Sequence, residues 1–159
     1  MRLLFLPALM LNGAIFGFFY AWVCSTMWGL DALVPEVAIR AMQGMNGSVR
    51  NAVFAPAFFG TGPVLLASAA MAFGLAARRA AGLMAVAGVI YIGGAMVPTL
   101  LVNVPMNEAL ALVDPGRGDA AEVWQAYSGR WQDWNMARAV ASGLALCLTG
   151  LGLMALDQR

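Results

Sequence analysis

The chain has no histidine and no lysine, only two cysteines, and few charges of either sign. Each shortage excludes something. Without histidine, the commonest haem and zinc ligand is missing, and so is the usual general base near neutral pH. Cys24 and Cys147 form no C-x-x-C pair, which removes the usual thiol-oxidoreductase signature. The nine basic residues are all arginine and are scattered, so no basic stripe exists and nucleic acid is not an expected partner. Charged residues make up 11% of the chain, against roughly a quarter in an ordinary soluble domain.

What the chain has in abundance is apolar. Of 159 residues, 62% are hydrophobic, and the mean hydropathy is +0.77. A membrane-crossing helix needs about 20 such residues in a row. Four runs qualify, at approximately 3–28, 52–77, 80–104 and 135–156. The expected fold is therefore all-α: an integral membrane four-helix bundle in one domain, 1–159. The first run reaches from Leu3 to Trp28, well past the roughly 7–15 apolar residues of a signal peptide, so it reads as a retained helix.

Runs two and three are separated only by Arg78 and Arg79, a tight hairpin. The other two connections, 29–51 and 105–134, are long enough for short interfacial helices. Pro35 followed by Glu36 is a helix start, with Val34, Val37, Ala38, Met42 and Met45 near helical spacing. Asp114-Pro115-Gly116 marks a turn. Trp124, Tyr127, Trp131 and Trp134 then have the density of an interfacial aromatic belt. Arg2, Arg78, Arg79 and Arg159 fall on one side, in very short segments, which favours both termini in the cytoplasm and the long loops outside. On the first helix Gly13-x-x-x-Gly17 leads to Tyr20 and Cys24 in one stripe, a pattern that lets helix backbones approach.

No Asp, Glu, Lys or Arg falls near the middle of a span, which counts against transport coupled to a buried carboxylate. Polar residues gather at the outer helix ends instead. At 100° per residue, Trp131, Asn135, Arg138, Ser142 and Thr149 lie within about 40° of one line, with Trp134 beside it. Cys147 points nearly the opposite way. Lipid cannot satisfy such a stripe, so it should face the bundle interior. Thr99, Asn103 and Asn107 share a face if the third helix continues past Pro105, and Asn46 and Arg50 lie one turn apart. Three helix ends thus bring Arg50, Asn51, Asn103, Asn107, Asn135 and Arg138 to one level. Singly, these are residues that snorkel or cap helices. Together, beside tryptophans, they form a candidate pocket for an aromatic, anionic or enolate-like ligand.

Three stretches resemble the anthrone-oxygenase-like family of small four-helix membrane proteins. They are Ala41-Met42-Gln43…Asn46…Val49-Arg50-Asn51, Leu101 through Asn107, and Arg130-Trp131…Trp134-Asn135…Arg138; Gly17-Phe18-Phe19-Tyr20-Ala21-Trp22 fits as well. The resemblance implies oxidation of a polyketide anthrone to an anthraquinone by dioxygen, with no cofactor, neither metal nor flavin. It implies Arg50 and Arg138 as charge stabilisers, and Asn103 and Asn135 as hydrogen-bond donors. Trp131 and Trp134 would supply stacking surface, and Asn51, Asn107 and Tyr20 further substrate contacts. Where the family pattern leads one to expect histidine after the Trp-Asn pair, this chain has Met136. Glu108 and Asp133 are the nearby carboxylates that could replace it as a base.

Two classes of function follow. One is a cofactor-independent oxygenase acting on a hydrophobic aromatic. The other is a non-catalytic membrane protein binding a lipid, a quinone or a partner subunit through the same pocket. Expected partners are membrane lipid and a hydrophobic small molecule, with a homo-oligomer left open.

Overall fold

Apolar runs of this length can satisfy their backbone polar groups in a bilayer only within a helix. In the computed structural model, which describes residues 5–156, they do so. Arg2, Leu3 and Arg159 lie outside the described residues. Helix α1 spans Leu6–Asp31, α2 Pro35–Ser48, α3 Phe54–Gly74, α4 Arg78–Ala111 and α5 Ala120–Ala155. No strand occurs among the described residues. Helices α1, α3, α4 and α5 are each long and apolar enough to cross a membrane, which is the architecture of a multi-pass membrane protein. They form a ring in which α1 packs on α3 and α5, and α4 packs on the same two.

One end of the ring is a tight hairpin. The turn lies at Leu75–Ala77, and Arg78 and Arg79 form the first turn of α4 rather than the connection itself. Ala76 takes a left-handed conformation (φ 62°), and the Ala77 N–H reaches back to Ala72 O at 3.0 Å, closing α3. The Arg78 guanidinium stacks 3.8 Å from the centre of the Phe73 ring.

The other end carries a cap. Helix α2 buries Ala38, Ile39 and Met42 against α1, the end of α4 and the start of α5. Val34 and Val37, expected on its apolar face, are exposed instead. Gln43 Nε2 donates to Leu110 O and Val113 O, each at 2.9 Å, tying α2 to the backbone where α4 ends.

The second long connection is shorter than expected. After a 3₁₀ turn at Pro115–Arg117, α5 runs unbroken through 36 residues. At 1.5 Å per residue that is about 54 Å, so it overshoots a hydrocarbon layer of about 30 Å. Trp124, Tyr127 and Trp131 are buried in the cap rather than forming a belt, because Asp31 and Asn107 accept their polar hydrogens. Asp31 accepts from Trp124 Nε1 (3.0 Å), Ser128 Oγ (2.6 Å) and Gln132 Nε2 (2.9 Å), fastening α1 to α5.

The stripe Gly17, Tyr20 and Cys24 faces away from the bundle. A Cβ on Gly17 would meet nothing, and one on Gly13 would make only ordinary contact with Leu146. The core face of α1 is Ala8, Asn12, Ile15 and Phe19. Close backbone approach occurs elsewhere: a Cβ on Gly94 of α4 would lie 2.5 Å from the Ala141 Cβ of α5.

Candidate functional site

Where the cap meets the bundle, the helices enclose a cavity of about 520 Å³, within the usual range for small-molecule sites. Phe18, Phe19 and Trp22 of α1 and Phe54, Phe58 and Phe59 of α3 form aromatic walls. Helix α2 and the following turn contribute Met45, Asn46, Val49, Arg50 and Asn51, α4 contributes Thr99, Asn103 and Asn107, and α5 contributes Trp131 and Arg138.

Helix geometry shapes this region. Pro98 and Pro105 have no N–H to give to the ladder of α4, and the helix widens into π turns at Ile92–Met96 and Thr99–Asn103. The Thr99 hydroxyl donates to Ala95 O at 2.8 Å, leaving its lone pairs for another donor. That donor is Arg138, whose Nη1 approaches Thr99 Oγ1 at 3.1 Å. In α1 a third π turn, Trp22–Thr26, begins at the cavity wall.

Arg138 is the centre of the polar end. It is 4% exposed, and among the described residues no carboxylate pairs with it. Its Nη2 donates to Asn135 Oδ1 at 3.1 Å. The guanidinium carbon lies 4.7 Å from the Phe19 ring centre and 5.2 Å from that of Trp131. Two aromatic faces and two neutral oxygens therefore hold the cation, and its Nε–H has no protein acceptor. Asn103 is 1% exposed, and neither its amide NH₂ nor its carbonyl has a partner. Buried polar groups are nearly always paired, so these two residues stand out.

Other polar residues are occupied by the fold. Asn107 Oδ1 accepts from Tyr127 OH (2.7 Å) and Trp131 Nε1 (2.9 Å), fixing the indole in the wall. Asn46 Nδ2 donates to Tyr127 OH at 3.4 Å. Asn51 Oδ1 accepts from the N–H groups of Val53 and Phe54 at 2.8 and 2.9 Å, and its Nδ2 donates to Ser48 O, so its side chain caps α3. Arg50 sits at the rim, 3.3 Å from Glu108, with both side chains exposed.

Of the residues singled out in the sequence, Arg50, Asn51, Asn103, Asn107, Trp131 and Arg138 line this one cavity. Asn135 lies behind it, holding Arg138 and donating to Phe19 O at 3.1 Å. Trp134 and Tyr20 are not on the lining; Trp134 is partly exposed, and Tyr20 is half-exposed and stacks on Phe16. Asp133 and Met136 are exposed and off the lining. Sequence reading passed over Asp31 and the wall rings Phe54 and Phe58. It also missed Asn12, which is fully buried deep in α1 and donates to Thr149 Oγ1 at 3.3 Å. A lone amide inside an apolar run was the only available signal for Asn12.

A family model described as anthrone oxygenase matches residues 51–148, which takes in α3, α4 and most of α5. The match begins one residue after Arg50 and leaves out α1 and α2. Comparison with curated proteins and with solved structures gave no match.

Proposed function

Because the chain belongs to the anthrone oxygenase family, we propose that it binds a flat anthrone-type ketone in the capped cavity and promotes its oxidation by dioxygen. The observation that carries this reading is the pairing of aromatic walls with two buried, unpartnered donors, Arg138 Nε–H and Asn103 Nδ2–H. Such donors stabilise an oxyanion without reorganising as charge develops.

An anthrone has a methylene between two aryl rings. Loss of one methylene proton leaves an extended enolate whose charge rests on the ketone oxygen, where Arg138 and Asn103 would receive it. Glu108, exposed and off the lining but paired with the lining residue Arg50, is the proton acceptor in this reading. The enolate gives one electron to dioxygen, and the resulting radical and superoxide join at the former methylene carbon. A proton completes the hydroperoxide. Loss of the remaining C–H proton together with hydroxide, as the O–O bond breaks, yields the second carbonyl and water. The sum is anthrone plus O₂ to anthraquinone plus H₂O. Phe19, Phe58 and Trp131 would supply the stacking surface, with Asn135 holding Arg138 in place.

In this reading the cap faces the exterior and both termini lie in the cytoplasm, because Arg78 and Arg79 mark the hairpin end. A second reading, a binder without turnover, is favoured by one fact: the rim carboxylate Glu108 is already ion-paired.

The test is dioxygen uptake by purified protein in nanodiscs supplied with anthrone. Wild type should exceed empty nanodiscs, and Arg138→Gln should lose about 100-fold of the excess, the usual penalty for one oxyanion donor. Equal rates in all three samples would remove the enzyme, and a hydrophobic ligand extracted from inactive protein would establish the binder.

A further inference from the structure

A second hollow, of about 490 Å³, lies between α1 and the start of α3. Phe18, Trp22, Met45, Val49, Asn51 and Phe54 line both hollows, so one layer of side chains divides them. Within that layer, Phe18 and Phe54 stand 4.9 Å apart, ring centre to ring centre. From this wall the groove descends along α1 to Ala14, eight residues below Trp22 and so about 12 Å deeper along the helix. Its lining holds no charged residue, and its polar members are Ser48 and Asn51, whose side chains are bonded to nearby backbone. Deeper still α1 and α3 meet, where a Cβ on Gly60 would touch Leu11. The two helices thus part only toward the capped end. The approach past the cap's rim is different in kind, for it passes the Arg50–Glu108 ion pair.

We propose that this groove is a lateral portal: a flat hydrophobic ligand reaches the cavity from the bilayer, between α1 and α3, by displacing the Phe18 and Phe54 rings. The inference rests on the cavity being the ligand site. It adds the source of the ligand, which is membrane-dissolved, and the two side chains that gate it. An apolar ligand partitions into lipid, so a route through lipid spares it a desolvation step at a charged rim. The π turn that begins at Trp22 lies beside the gate, at the point where the α1 ladder is already irregular.

The test places bulk in the groove, away from the cavity. Ala14 and Ala57 line the groove but not the cavity, and Ala14 is exposed, so Ala14→Phe should fold normally. Wild type, Ala14→Phe and Ala14→Phe/Ala57→Phe are mixed with liposomes holding anthraquinone, and quenching of tryptophan fluorescence is followed by stopped flow. A blocked portal slows entry and exit together, by about tenfold or more in the double variant, and leaves Kd within about twofold. Unchanged rates with intact binding would make the groove a lipid-filled crease and overturn the portal. A changed Kd with an unchanged entry rate would also overturn it, because the bulk would then be acting on the site. If wild type does not bind anthraquinone at all, the ligand site itself falls and the portal with it, a result distinct from the other two.

Discussion

At the scale of single residues, the molecule separates polar groups that hold it together from polar groups that do not. Asn107 belongs to the first kind: its carbonyl serves Tyr127 and Trp131. Asn103, one helical turn earlier, serves nothing in the protein. Replacing a buried unsatisfied group by an apolar one of similar shape removes a desolvation penalty, whereas removing the acceptor of two donors creates one. Asn103→Leu should therefore raise unfolding stability by about 1 kcal/mol while abolishing ligand binding, and Asn107→Leu should lower stability by about 2 kcal/mol. Thermal unfolding in one detergent, alongside ligand titration, checks both. If both variants are destabilised equally, Asn103 is structural and the site loses a donor.

Sequence periodicity predicted part of this pattern. Trp131, Asn135, Arg138, Ser142 and Thr149 repeat at helical spacing, and all five are buried as a one-sided polar stripe requires. The division of labour among the asparagines was not visible. Asn51, Asn103, Asn107 and Asn135 are the same residue type near the ends of apolar runs, and only three-dimensional neighbours distinguish cap, orphan, clamp and brace. Asp31 was missed for a related reason, since its three donors lie on α5, some hundred residues away along the chain.

At the scale of elements, hydrophobic length set the number of helices able to span a membrane, and the helices α4 and α5 run on past the apolar runs that announce them. The polar first half of α5 reads in sequence as a connection with room for a short, separate helix, yet it joins the span in one unbroken helix because its aromatic residues find a protein core in the cap. Small-residue spacing also misled, because Gly13-x-x-x-Gly17 shows a motif but not which side a neighbour will occupy. The tightest contact that needs the absence of a side chain, among the described glycines, is Gly94 against Ala141, inside the widened turn of α4. Gly94→Ala would force α4 and α5 apart and should cost about 1–3 kcal/mol, as overpacking generally does. A drop in melting temperature for Gly94→Ala, with Gly17→Ala unchanged, is the expected pair of results. An unchanged Gly94→Ala would mean that the two helices yield there freely.

At the scale of the whole molecule, the two ends are unlike. One is a three-residue turn flanked by Arg78 and Arg79, and the other is a cap assembled from α2 and the overshoot of α4 and α5. Arginine in short segments is retained in the cytoplasm. In a background lacking Cys24 and Cys147, Arg117→Cys should react with a membrane-impermeant maleimide on intact cells. Ala76→Cys should react only after the membrane is opened, and the reverse pattern would invert the orientation.

Helix α3 differs from its neighbours in having no length to spare. Its 21 residues extend about 32 Å, close to the thickness of the hydrocarbon layer, whereas α4 and α5 continue well beyond it. If α3 crosses such a layer squarely, Phe54, its first residue, comes near the level where the hydrocarbon ends. Whether acyl chains or headgroups lie against the gap beside Phe54 is then a matter of a few ångströms of lipid thickness, and the surrounding membrane becomes part of the wall.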